Sequence, residues 1–302
     1  MNLEYFFSLF LGGLTRGSIY ALIALGYTMV YGIIKLINFA HGEIYMIGAF
    51  TSLIIGAALA MSGMNPILIF VLACLAAIVY SAAYGITIER LAYRPLRKAP
   101  RLSVLISAIG MSIFLQNYVL LAQTSDFLPF PLVLPNMKFL KPIEHMMTTT
   151  QFLILISTAV VMVLLTILIK FTRMGKAMRA TSQDKDMAQL VGINVDRVIS
   201  MTFLIGSATA ALGGVLISSH IGQINFYIGF IAGIKAFVAA VLGGIGSIPG
   251  AVLGSFVLGL TESFGTGYIS SDYEDAFAFI ILILILIFKP AGLLGRKENE
   301  KV

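Results

Sequence analysis

Lys35-Leu36-Ile37-Asn38-Phe39-Ala40-His41-Gly42-Glu43 places a cation, an amide, an imidazole and a carboxylate between two apolar segments, with almost no spacer. Polar groups at a hydrocarbon boundary are expensive and point to function, so Asn38, His41, Gly42 and Glu43 are candidates for a pathway through a membrane. The stretch also reads as a tight cytoplasmic turn, with Asn38 capping the next helix and Glu43 complementing its N-terminus. Both readings can hold, because the N-terminus of a half-helix is itself a polar site. A second candidate is Gly243-Gly244-Ile245-Gly246-Ser247-Ile248-Pro249-Gly250, too rich in glycine and proline to continue a helix. Irregular backbone at membrane depth survives only inside protein or beside water, which adds Gly243, Gly244, Gly246 and Pro249 to the pathway candidates. The third is the polar stretch 170–197, where Asp186-Met187-Ala188-Gln189-Leu190-Val191-Gly192 reads as a short amphipathic helix ended by glycine. On composition alone that stretch is a solvated connector.

Membrane helices must position these residues. Of the 302 residues, 59% are hydrophobic and only 11% charged, against about 25% charged in an ordinary soluble domain. So much apolar surface does not seal into one soluble core of this size. The stretches 67–88 and 276–288 carry no charge at all, and such runs approach the roughly 20 residues that cross a bilayer as a helix. Apolar residues come in unbroken runs rather than alternation, which favours helices over a β-barrel. The expected fold is an all-α polytopic bundle of about eight transmembrane segments (eight to ten), some broken or re-entrant. The segments lie near 5–33, 42–61, 65–88, 102–122, 151–170, 198–219, 229–264 and 276–289. The first reads as broken at Gly12-Gly13 and Arg16-Gly17, with its span starting near Ser18. The seventh reads as cut in two at Gly243–Gly250.

The net charge of +6 does not mark a nucleic-acid binder, because the basic residues lie in short connections where they set orientation. Loop 89–101, loop 170–197 and the tail 290–302 with Lys289 hold fifteen of the twenty and are expected in the cytoplasm. Loops 123–150 and 265–275 are expected outside. The whole of 1–302 then reads as one transmembrane domain. Span 198–219 runs outward, so the stretch up to 265 must enter and return, meeting at Gly243–Gly250. No signal peptide is evident. Glycines at four-residue spacing (Gly13 and Gly17; Gly229 and Gly233; Gly246, Gly250 and Gly254) predict close helix packing. Lys235, inside such a segment, must find water, a carboxylate or the headgroups, and snorkelling is the expectation. Glu262 is expected to be wetted near the outer end of its segment, and His220 and Asn225 to sit at the outer boundary. Cys74, the single cysteine, reads as a small buried hydrophobe.

No P-loop, HExxH or paired CxxC occurs. The three histidines, His41, His145 and His220, are scattered, and only His41 with Glu43 hints at a hydrolytic pair. No catalytic residue and no metal site are expected.

Gly17–Tyr27 followed by Asn38–Glu43 resembles the permeases of branched-chain amino acid ABC importers, of the LivH type. The resemblance continues through Glu89–Arg97, Ile109–Asn117, Lys235–Phe237 and Val241–Gly250, and covers the chain except loop 123–150. It implies a bacterial inner-membrane complex that carries leucine, isoleucine or valine. A second related, LivM-like permease shares the translocation pathway. Two ABC ATPase subunits hold the ATP and magnesium, so this chain binds no cofactor. A periplasmic substrate-binding protein delivers the cargo. Permeases of ABC importers carry an E-A-A-x-x-x-G loop that docks on the ATPase. Asp186, Ala188 and Gly192 fall at that spacing, with Asp186 for the glutamate and Met187 for the middle alanine. Arg173, Gly175 and Arg179 are expected in the same coupling loop. Permeases for urea or short amides look similar and are the nearest alternative; a stand-alone secondary transporter or channel is a further one.

Overall fold

The computed structural model describes residues 3–97, 99–131 and 147–295. His145 and the basic tail residues Arg296, Lys297 and Lys301 lie outside the described residues. The fold is all-α and polytopic, the architecture of a multi-pass membrane protein. Seven helices are long and apolar enough to span a bilayer: α1 (Leu3–Ile34), α2 (His41–Ala60), α3 (Pro66–Ile88, with a π turn Glu89–Tyr93), α4 (Arg101–Ala122), α5 (Thr149–Phe171), α8 (Val195–Ile221) and α10 (Ile248–Tyr268). Two shorter apolar helices are α9 (Ile228–Gly243) and α11 (Glu274–Phe288). Two polar helices, α6 (Arg173–Gln183) and α7 (Lys185–Leu190), occupy the stretch read as a loop.

Local chemistry sets the helix ends. Asn65 Oδ1 accepts from Ile67 N at 2.9 Å, and Pro66 opens α3. Thr148 and Gln151 form a capping box on α5. Asn194 caps α8 through Arg197 N at 2.9 Å, and Gly222 at φ +78° closes it.

The helix α1 is unbroken, contrary to the expected interruptions at Gly12-Gly13 and Arg16-Gly17. Gly13 and Gly17 serve packing instead. An added Cβ at Gly13 would lie 2.9 Å from Leu260 Cα, and one at Gly17 would lie 2.8 Å from Ser255 O. From the other side, a Cβ at Gly259 would meet Gly17 N at 2.3 Å. Each helical glycine costs about 1 kcal/mol against alanine, and the close approach of two long helices offsets it. Beyond the seam, α1 continues into an aromatic end, where Tyr5 Oη donates to Gly267 O at 2.8 Å and Phe6 packs on Phe264 at 5.4 Å.

The seventh apolar segment divides as expected, into α9 and α10. Gly244 (φ +103°) and Gly246 (φ +95°) make the reversal, and Ser247 caps α10 by accepting from Gly250 N at 3.2 Å. The spaced glycines Gly250 and Gly254 lie against Gly243 and Ala239.

Contacts among the described residues tie loops together at each end of the bundle. Strand β1 (Leu128–Pro129) pairs with β2 (Gln223–Ile224), joining the loop after α4 to the loop after α8. At the basic end, Arg94 and Arg97 pair with Asp196, and Leu293 N and Leu294 N donate to Leu242 O and Gly243 O.

Candidate functional site

Three polar groupings are built into the bundle. The first surrounds the start of α2. After Lys35, at left-handed φ +61°, the chain leaves α1 and turns so that Ala40 N-caps α2, with His41 N donating to Asn38 O at 3.0 Å. Asn38 is therefore not the cap. Its Oδ1 accepts from Tyr93 Oη at 3.0 Å, which ties the turn to the π segment. His41 stacks edge-on against Tyr27 at 4.9 Å and fills the notch left by Gly26 and Gly206. Glu43 is fully buried in the first turn of α2, as expected for a carboxylate complementing a helix N-terminus. Ser112 Oγ of α4 donates to its Oε1 at 3.0 Å. Its Oε2 faces Gly229 in the first turn of α9, so one carboxylate sits between two helix N-termini. A Cβ at Gly42 would lie 2.3 Å from Gly229 O, so glycine is required for this approach.

The other half of the expected pathway set, Gly243, Gly244, Gly246 and Pro249, lies elsewhere. Gly244 packs on Gly295 and Gly246 lies over Gly32. Pro249 is in the first turn of α10. Phe237, edge-on to Tyr27 (6.1 Å) and tilted against Phe39 (5.9 Å), links α9 to the α2 turn.

The second grouping corrects three expectations. Lys235 does not snorkel. It is buried, with Nζ 3.2 Å from Glu262 Oε1, 2.8 Å from Glu274 Oε1 and 2.8 Å from Asp275 Oδ1. Glu262 is not wetted: it is fully buried, and Tyr20 Oη donates to its Oε2 at 2.7 Å. Arg16 reaches Glu274 Oε2 at 3.2 Å. Glu274 and Asp275, expected in the outer loop 265–275, instead open α11. Sequence pattern shows Lys235 inside an apolar segment, but not which acid from another helix meets it.

The third grouping is at the basic end. Glu89 was expected to begin a loop; instead it is completely buried at the start of the π turn. Arg97 pairs with it, and Ser200 Oγ donates to its Oε2 at 2.7 Å. Next to it, α5, α6 and α7 form a fixed knob. Thr172 caps α6 by accepting from Gly175 N at 3.0 Å, and a Cβ at Gly175 would lie 2.2 Å from Leu168 O, so only glycine permits the bend. Arg179 donates to Ile169 O at the end of α5. Asp184 caps α7 through Asp186 N at 2.9 Å and Met187 N at 3.0 Å. At the far end, Ile193 N donates to Ala188 O at 2.9 Å and Gly192 N to Gln189 O at 3.0 Å, with Gly192 at φ +86°. This is a Schellman closure, and it bears out the short helix ended by glycine. Ala188 is buried, while Met187, Leu190 and Val191 are 62%, 79% and 76% exposed on an otherwise polar surface. Arg173 opens α6. Lys185 Nζ donates to Ile34 O at 3.3 Å; burial, and then Arg97, hold it below the usual lysine range.

Residues 9–286 match the family model described as branched-chain amino acid transport system / permease component. The chain is 53% identical to the high-affinity branched-chain amino acid transport system permease protein LivH of Salmonella typhimurium, over 99% of this chain and 98% of that one. It is also 53% identical to the corresponding permease protein BraD of Pseudomonas aeruginosa, over 96% of each. A probable LivH of Methanocaldococcus jannaschii is 27% identical over 94% of this chain and 91% of its own. Full-length identity at this level, on a bundle of seven long apolar helices, makes the chain a member of the branched-chain amino acid permease family.

Proposed function

We propose that this chain is a membrane-spanning subunit of a binding-protein-dependent ABC importer for leucine, isoleucine and valine in the bacterial inner membrane. In this reading it forms the pathway with a second related permease. Two separate ATPase subunits supply the work and a periplasmic binding protein supplies the affinity. In this reading ATP and magnesium belong to the ATPases. The basic end of the bundle is cytoplasmic.

The observation that carries this reading is the knob of α5, α6 and α7. Three apolar side chains, Met187, Leu190 and Val191, stand exposed on a scaffold fixed at every joint by a cap, a glycine bend or a Schellman closure. A part that receives force must be rigid and must offer a contact face, and apolar side chains raised on a polar surface provide one. When ATP closes the ATPases, the movement enters through α7 and passes by the Gly175 bend into α5. Arg173, Gly175, Arg179, Asp186, Ala188 and Gly192 hold that route in shape. The two permeases then rock against each other and expose the pathway to one side at a time.

Gly192→Glu tests the route. A left-handed φ costs a side-chain-bearing residue about 1–2 kcal/mol, and nothing crowds the site, so the bundle should fold while α7 loses its closure. Leucine uptake by cells should fall by about tenfold at unchanged membrane level, since 1.4 kcal/mol is a factor of ten. Uptake equal to wild type would remove α7 from the coupling route.

A further inference from the structure

Two parts of the molecule grip the turn between α1 and α2, and they belong to different bodies. Tyr93 of the π turn holds the far side. Its Oη donates to Asn38 Oδ1 at 3.0 Å and lies 3.3 Å from Ile37 O. Lys185, the first residue of α7, holds the near side. Its Nζ donates to Ile34 O at 3.3 Å, although Asp184 and Asp186 flank it in sequence. Ile34 is the last residue of α1, and the last turn of that helix carries no basic residue of its own. Carbonyls at a helix C-terminus lack intrahelical donors and form the negative end of its dipole, so an ammonium group there caps the helix. The cap of α1 is thus supplied by the helix that carries the exposed contact face of the knob. Lys185 itself is half-buried, so the contact is enclosed rather than a passing surface bond.

What lies between the two grips is an independent observation. Lys35 stands there at φ +61°, the one non-glycine residue with a positive φ among the described residues. Such strain persists only where the surroundings hold it, and it gathers at switch regions. Further along the same turn, Asn38 Nδ2, His41 Nε2 and Glu43 Oε2 are buried and find no hydrogen-bond partner within the chain. Buried polar atoms are normally paired, so this arrangement of the turn has a better-satisfied alternative to move toward. The last turn of α1 also adjoins the glycine reversal between α9 and α10: a Cβ at Gly32 would lie 3.6 Å from Gly246 Cα. The two halves of the expected pathway set, which lie apart, both border the end of this one helix.

We infer that Lys185 is a positioning residue that ties α7 to the α1–α2 turn, so that displacement of α7 re-forms the turn and changes the exposure of Asn38, His41 and Glu43. The inference rests on the proposed importer function and gives the knob a second output besides the Gly175 bend. When α7 moves against the bundle, one grip travels and the other stays. Tyr93 stays because its ring packs on Phe203 of α8 at 5.2 Å, and because Glu89 of the same π turn accepts from Ser200 of α8 at 2.7 Å. Lys185 travels with α7. The joint at Lys35 lies between them and takes up the difference, since α1 above it is locked along α10 at Gly13 and Gly17.

The test uses the assembled importer in lipid vesicles, with leucine uptake and ATP hydrolysis measured together. Lys185→Met keeps the length of the side chain and removes the donor; Lys185→Arg keeps a charged donor. A hydrogen bond from a charged group is worth about tenfold or more in an equilibrium. Lys185→Met should therefore co-purify with the ATPases and hydrolyse ATP, while leucine carried per ATP falls by about tenfold. Lys185→Arg should restore that ratio to within about twofold of wild type, less than the tenfold set by the missing bond. Amide hydrogen exchange over residues 35–43 gives a readout that a merely structural role would not move. In wild type and Lys185→Arg it should differ between the resting complex and one trapped with ATP and vanadate; in Lys185→Met the difference should vanish. Wild-type coupling in Lys185→Met, loss of the ATPases from it, no recovery in Lys185→Arg, or a turn whose exchange ignores trapping in wild type would each overturn the inference. A wild-type complex in which ATP drives no leucine uptake overturns the importer reading itself, so the two failures are told apart.

Discussion

Lys235→Met should lower the unfolding midpoint of the purified chain in detergent by more than about 6 °C, from a loss of roughly 3–5 kcal/mol. The reason is the company that Nζ keeps. Glu262 is fully buried and has Lys235 and Tyr20 as its partners, while Glu274 and Asp275 converge on the same ammonium from the start of α11. Removing the cation leaves a desolvated carboxylate facing two others, which costs far more than the pair contributes when intact. The double substitution Lys235→Met with Glu262→Gln should recover part of the loss, because the orphaned charge goes too. With Glu262→Gln alone as the remaining arm of the cycle, the recovery gives the coupling. An unchanged midpoint in the single variant would mean that the buried network holds nothing together.

The second large effect is steric. Gly259→Val should leave little folded protein, a destabilisation above about 4 kcal/mol. The added Cβ would lie 2.3 Å from Gly17 N, 2.5 Å from Gly13 O and 2.6 Å from Gly17 Cα. All three are backbone atoms of α1, so no rotamer change relieves the overlap. Gly12→Ala is the control: its Cβ would meet only Ser263 Oγ, at 3.5 Å, and should be tolerated. Gel filtration in detergent and thermal unfolding separate the two. A monodisperse Gly259→Val protein with wild-type stability would show that α1 and α10 are not held this close.

Much of this architecture was legible in composition and spacing, because lipid imposes length and apolarity on anything that spans it. The helix limits, the break at Gly243–Gly250, the glycine packing and the Gly192 closure all follow from local rules. What was not legible depended on pairing across helices. Glycines that look like helix breakers in α1 turned out to be its contact face, since a breaker and a packing residue differ only in what lies opposite. Glu89 looked like the start of a basic loop because its partners, Arg97 and Ser200, come from a turn and from a helix more than a hundred residues on. Asn38 carried the chemistry of a cap, but Tyr93 reached it first. Of the candidate site, Ser112 of α4 was absent from the sequence-based reading, because its bond to Glu43 joins residues 69 apart and leaves no local pattern.

The length of α1 has a consequence for the surrounding bilayer. Its 32 residues extend about 48 Å against a hydrocarbon core of about 30 Å. A lone helix would absorb that mismatch by tilting, but α1 is locked along α10 at Gly13 and Gly17 and cannot tilt alone. At one end of α1, Tyr5, Phe6, Phe7 and Phe10 stand exposed beside the last turns of α10, the aromatic composition of a membrane interface. The protein thus floats at a fixed depth, and a thinner membrane would have to thicken around it rather than tilt α1 alone.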